Sequence, residues 1–96
     1  MLKIEEIINI EKSAKEEYKN NIIDKFEEEY PDTVEFLTKE ITWAAQKRQS
    51  SVGIPFNNLI NREKAFEYLI AKNFWCYKET CFIDKQEVYG ISVYWE

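Results

Sequence analysis

Apolar residues recur every fourth position through the first third of the chain, at Ile10, Ala14, Tyr18, Ile22, Phe26 and Tyr30, with Ile4, Ile7 and Ile8 at the start. This spacing predicts one long helix of about six turns. Around the stripe lie Glu5, Glu6, Glu11, Glu16, Glu17, Asp24, Glu27, Glu28 and Glu29, interleaved with Lys12, Lys15, Lys19 and Lys25, as on a solvated face with pairs such as Glu11 and Lys15. Asn20-Asn21 is a candidate break, because asparagine favours turns over helix interiors. Pro31 ends the helix. Asp32, with Glu35 three residues on, resembles a capping box opening a second helix to about Lys47. That helix carries Val34, Leu37, Ile41, Ala44 and Ala45 on its apolar face, widened by Phe36 and Trp43.

The period then changes. From Ser50 to Phe56, Val52, Ile54 and Phe56 alternate with other residues, which marks a short strand. Pro55 cannot donate to a ladder and argues for an edge or a strand end, and Gly53 for a bulge or a close backbone approach. Asn57, Asn58 and Asn61 are candidate caps of a third helix, ending near Asn73 and turning Ala65, Phe66, Leu69 and Ile70 inward. Residues 74 to 80 and 88 to 95 are aromatic and β-branched, and read as two strands joined by a polar stretch containing Asp84-Lys85-Gln86-Glu87. In the last strand Tyr89, Ile91, Val93 and Trp95 share the face expected to meet the helices. The fold class expected is α+β, as one domain over 1–96: two N-terminal helices followed by a β-α-β-β unit with a small three-stranded, mainly antiparallel sheet.

The 96 residues are 45% hydrophobic and 16% aromatic, enough apolar material for a core, though a domain this small hides only about 60 to 65% of its unfolded surface. No apolar run approaches a membrane span, and the acidic start Met1-Leu2-Lys3-Ile4-Glu5-Glu6 is unlike a signal peptide, so a cytoplasmic address is expected. Cys76 and Cys81 match no zinc or thioredoxin-like spacing and read as reduced thiols. The absence of histidine removes the commonest general base and the commonest zinc nitrogen ligand. No nucleophile with a base and no paired carboxylates can be read, so the expectation is a binding protein without cofactor or metal and not an enzyme.

Charge sorts along the chain. Residues 1 to 46 hold 12 acids against 6 bases, a net of −6, and residues 47 to 96 hold 6 against 7, a net of +1. The overall −5 argues against direct DNA or RNA binding, which draws on clustered Lys and Arg.

The stretch from Ile41-Thr42-Trp43-Ala44-Ala45 through Ser50-Ser51-Val52-Gly53-Ile54-Pro55-Phe56, then Leu69-Ile70-Ala71-Lys72-Asn73-Phe74 and Ile91-Ser92-Val93-Tyr94-Trp95, resembles small accessory proteins of phages and prophages of low-GC Gram-positive bacteria. In those, a helix ending in an Ala-Ala pair leads into a Ser-Val strand, a helix, a hairpin and a terminal aromatic. Arg48 stands where that pattern often has glycine, and the acidic first helix is not part of it. The resemblance implies interference with a host process, that of an antiviral defence system, in the host cytoplasm. It carries over no catalytic residue.

Three surfaces are candidates. Glu16, Glu17, Glu27 and Glu28 on the first helix, with Trp75, Tyr77 and Tyr94 on the sheet, would meet a host protein, the glutamates by imitating phosphates in a basic groove and the aromatics as exposed anchors. The same acids also read as an ordinary solvated face. Lys47, Arg48, Ser50 and Ser51, with Arg62 and Lys64 nearby, would form a donor cluster for a small nucleotide signal, which the protein would sequester. That group also reads as the charged end of a helix. The apolar stripe of the first helix is either the seam of a homodimer or higher oligomer, or the packing surface for the second helix.

Overall fold

The computed structural model describes residues 3–95 and has the order helix, helix, strand, helix, strand, strand: α1 (Ile4–Glu29), α2 (Pro31–Gln46), β1 (Ser51–Phe56), α3 (Leu59–Ala71), β2 (Trp75–Ile83) and β3 (Gln86–Tyr94). The strands form one antiparallel sheet in the order β1-β3-β2. The α+β expectation is met. No helix among the described residues is long and apolar enough to cross a membrane.

The core lies between one face of the sheet and the helices. Ile91 and Val93 of central β3 pair with Ile54 and Val52 of β1. Ile91, Val93 and Ile54 are buried together with Phe56, Leu37 of α2, and Ala65, Tyr68 and Leu69 of α3. α1 joins this core only near its end, where Phe26 stacks on Tyr68 at 4.5 Å and Ile23 and Tyr30 pack alongside.

The four-residue repeat accounts for that partial engagement. Each step of four turns about 40° past a full circle, so Phe26 lies about 160° around the helix from Ile10. A stripe that stays on one face must alternate steps of three and four. The expected single stripe is therefore a spiral, and every described residue up to Asn21 is exposed. The molecule measures 62 × 30 × 23 Å along its principal axes, with the start of α1 projecting.

Several local expectations are corrected. α1 runs unbroken through Asn20-Asn21, and α1 and α2 meet at Tyr30, which ends one and begins the other. Asp32 therefore sits inside the first turn of α2, where its charge suits the helix dipole, and makes no cap. Pro31 occupies the first helical position, where a missing N–H costs nothing. β1 is an edge strand, as Pro55 requires, but its register with β3 runs residue for residue, so Gly53 makes no bulge, and its missing side chain faces open space. β2 and β3 are longer than expected and are joined by Asp84-Lys85 alone, both at positive φ (52° and 66°), as in a two-residue hairpin turn. In α3, Ile70 faces outward, while Tyr68 and Ala71 are buried.

Two helix ends share one device. After α2 the Gln49 N–H donates to the Ala44 carbonyl and the Arg48 N–H to Ala45, with Arg48 at φ 63°. After α3 the Phe74 N–H donates to Leu69 and the Asn73 N–H to Ile70, with Asn73 at φ 72°. Both are Schellman closures, whose left-handed residue is most often glycine. At the other end of α3 the expected asparagine cap is present: the Asn58 side chain accepts from Ile60 N–H at 2.8 Å and Asn61 N–H at 3.2 Å.

Candidate functional site: the open face of the sheet

Side chains alternate across a strand, so the register that buries Ile91 and Val93 turns Gly90, Ser92 and Tyr94 to the opposite face. Cross-strand pairing extends this to three rows: Ser51, Tyr94 and Trp75; then Gly53, Ser92 and Tyr77; then Pro55, Gly90 and Glu79. The face is thus a shelf of small residues bordered on β2 by aromatics. Trp75 is 68% exposed and Tyr77 64%. Tyr94 is half-buried and meets Tyr77 edge to face, with centroids 5.6 Å apart and planes at 82°. This T-shaped contact fixes both rings without covering them. Below them Ser92 Oγ donates to Glu79 Oε1 at 2.6 Å, holding that carboxylate against the shelf. The sequence-predicted aromatics Trp75, Tyr77 and Tyr94 therefore form one contiguous patch, with exposed Cys81 further along the same face.

The donor cluster does not converge in the same way. Lys47 Nζ lies 3.5 Å over the ring centroid of Trp43, and Arg48 forms the helix closure described above. The Ser50 carbonyl accepts the Trp95 N–H at 3.2 Å, and Ser51 stands beside Tyr94 at the start of β1. Arg62 lies beyond the opposite end of that strand and is buried, with 6% of its surface exposed. Its Nη1 donates to the Glu79 carbonyl at 3.0 Å, its Nε and Nη2 meet Glu63 Oε1 at 3.1 and 2.9 Å, and its guanidinium lies 5.5 Å from the Tyr89 ring centroid. Arg62 is thus a clamp between α3 and edge strand β2, with its donors engaged inside the molecule. Lys64 donates to Tyr30 Oη at 3.0 Å, and that hydrogen bond raises its pKa.

The acidic set is also divided. Glu16 and Glu17 lie on the projecting part of α1, and Glu28 is exposed near its end. Glu27 is engaged by the protein itself, accepting from Tyr68 Oη at 3.4 Å and lying 3.6 Å from Lys72 Nζ. Burial pushes the Tyr68 phenol up to about 12, reinforced by the Glu27 charge. The Cys76 thiol, half-buried on the helix side of the sheet, is pushed by burial to about 11, so it stays protonated and inert as a nucleophile near neutral pH.

Sequence reasoning missed the Glu63 hub on the helix side of the sheet. Lys78 on β2 pairs with Glu63 and lies 4.6 Å over the Phe66 ring centroid, and its hydrogen bond is the main cause holding the Glu63 carboxyl below its ordinary value. A helix position alone gave no sign that Arg62 and Glu63 reach β2. Phe36 and Trp43, expected to widen the apolar face of α2, are instead exposed, because their seven-residue spacing places them on one side of the helix, about 100° around from Leu37 and Ala44. Compared with protein-family models, curated proteins and solved structures, the chain matches none, so the functional reading rests on this geometry.

Proposed function

We propose that this chain is a non-enzymatic binding protein that inhibits a partner protein by covering it with the open face of its sheet. Taken with the resemblance of residues 41–95 to phage accessory proteins, the partner is a host antiviral-defence factor met in the host cytoplasm. The observation that carries the reading is the patch of Trp75, Tyr77 and Tyr94, two of them about two-thirds exposed, beside a flat shelf of Gly53, Gly90 and Ser92. Large aromatics next to a shelf of small residues are what interface anchors require, since a few such residues carry most of a typical binding energy. Each anchor is expected to contribute about 1–3 kcal/mol on burial. The exposed carboxylates Glu16, Glu17 and Glu28 speed encounter with a basic partner without being part of the anchor.

The test is affinity capture from lysate of a low-GC Gram-positive host, comparing the native chain with Trp75→Ala/Tyr77→Ala and with Lys47→Glu/Arg48→Glu. A defined host protein held by the native chain and by the charge-reversed variant, and released by the aromatic variant, is the expected outcome. Capture that ignores the aromatic change overturns the site. A small nucleotide that co-purifies and is lost on charge reversal at Lys47 and Arg48 replaces the proposal with sequestration of a signal.

A further inference from the structure

We infer that the projecting half of α1 pairs in antiparallel fashion with the same segment of a second copy. Every described residue from Lys3 to Asn21 is exposed, yet the segment carries Ile4, Ile7, Ile8, Ile10 and Tyr18 at exposures of 76, 51, 44, 58 and 69%. In folded proteins most of a helix's stability comes from packing an apolar face, and none of the described residues covers this one.

The distribution of these residues fits a helical partner. In a heptad with Ile4, Glu11 and Tyr18 at position a and Ile7, Ala14 and Asn21 at position d, Ile8 falls at e and Ile10 at g, so each of the five exposed apolar residues is at a, d, e or g. Positions b, c and f hold Glu5, Lys12 and Lys19, then Glu6, Ser13 and Asn20, then Asn9 and Glu16, all polar. This seam lies about a third of a turn around α1 from the face that Phe26 and Ile23 turn to the core, so a helix can occupy it without displacing α3.

Area and charge identify the occupant as a second copy. Those five side chains offer roughly 500 Å² of apolar surface, so a two-fold pair buries at most about 1,000 Å², the lower bound for a specific interface and that of a weak dimer. In a parallel pair Glu11 faces its own copy in the middle of the seam. In an antiparallel pair it faces Ala14 of the second chain, whose small side chain leaves room for the existing Glu11–Lys15 ion pair at 3.0 Å. The same register sets Ile7 against Tyr18 twice and Lys3 against Asp24, and keeps the two folded bodies at opposite ends.

The experiment is sedimentation equilibrium of the full chain from micromolar to sub-millimolar concentration, beside Ile7→Glu/Tyr18→Glu. Both positions are exposed, so the variant is expected to keep the native thermal transition of the body while remaining monomeric where the native chain dimerises. Orientation is read by mixing an Ile4→Cys chain with an Asn21→Cys chain, each also carrying Cys76→Ala and Cys81→Ala. Oxidation is expected to join the two different chains. A native chain that stays monomeric overturns the inference and leaves the seam to a helix of another protein. A dimer that survives the glutamate pair, or that cross-links Ile4→Cys to itself, also overturns it.

Discussion

Replacing Arg62 by alanine separates a structural arginine from a ligand-binding one. In the native chain its guanidinium donates to the Glu79 carbonyl at 3.0 Å from a position only 6% exposed, a charge-assisted bond of about 1.5–3 kcal/mol. The pair with Glu63 adds little, because Glu63 is 40% exposed at its side chain and shares its charge with Lys78. The Tyr89 ring at 5.5 Å adds about 0.5–1 kcal/mol. These contributions share one side chain and do not sum freely, so the expected loss is about 3 kcal/mol. For a domain of this size that lowers the melting temperature by more than 10 °C, on the order of 4–8 °C for each kcal/mol. Urea denaturation followed by tryptophan fluorescence measures it, with Arg62→Lys as the companion variant. Lysine keeps the charge but lacks the planar fork, so it is expected to recover only part of the loss. An Arg62→Ala chain within about 0.5 kcal/mol of native, the range of ordinary surface changes, refutes the clamp.

Arg48→Gly is expected to stabilise the chain by about 0.5–1 kcal/mol, because glycine takes the left-handed closing position after α2 without the Cβ penalty, offset in part by its unfolded-state entropy; a urea midpoint that falls contradicts this. Gly53→Thr is expected to raise stability by a similar amount, about 0.5–1 kcal/mol, since nothing lies within 4 Å of the added Cβ in an unbulged strand. The same change roughens the flat shelf, so binding of the captured partner should weaken while the midpoint rises. Stability is expected to fall as pH climbs from about 9 to about 12, because the folded state holds the Cys76 thiol near 11 and the Tyr68 phenol near 12, against ordinary values of 9.0 and 10.0. Below pH 9 these groups are neutral in both states. Above it the unfolded chain ionises first, so stability falls by about 1 kcal/mol for each group after allowance for solvent screening. Tyr68→Phe should flatten the upper part of that fall and Cys76→Ala the lower part.

Element order, fold class and most inward positions of the second half were legible in the chain itself. Two-residue alternation through Val52, Ile54 and Phe56 and through Tyr89, Ile91 and Val93 specifies which face of each strand is buried. The Asn58 cap and Pro55 mark boundaries by chemistry that operates within a few residues. What tertiary structure decided depends on neighbours distant in sequence. The Trp75, Tyr77 and Tyr94 patch exists because β3 is central and its register sets those rows side by side, which no local pattern encodes. Arg62 read as a free donor until α3 was laid against β2, where the Glu79 carbonyl and Glu63 engage it. The spiral of α1 shows the same division: periodicity made the helix, but only the position of the body determined that Phe26 is covered and Tyr18 is not, because a short sheet and two short helices have no surface left to reach the first turns.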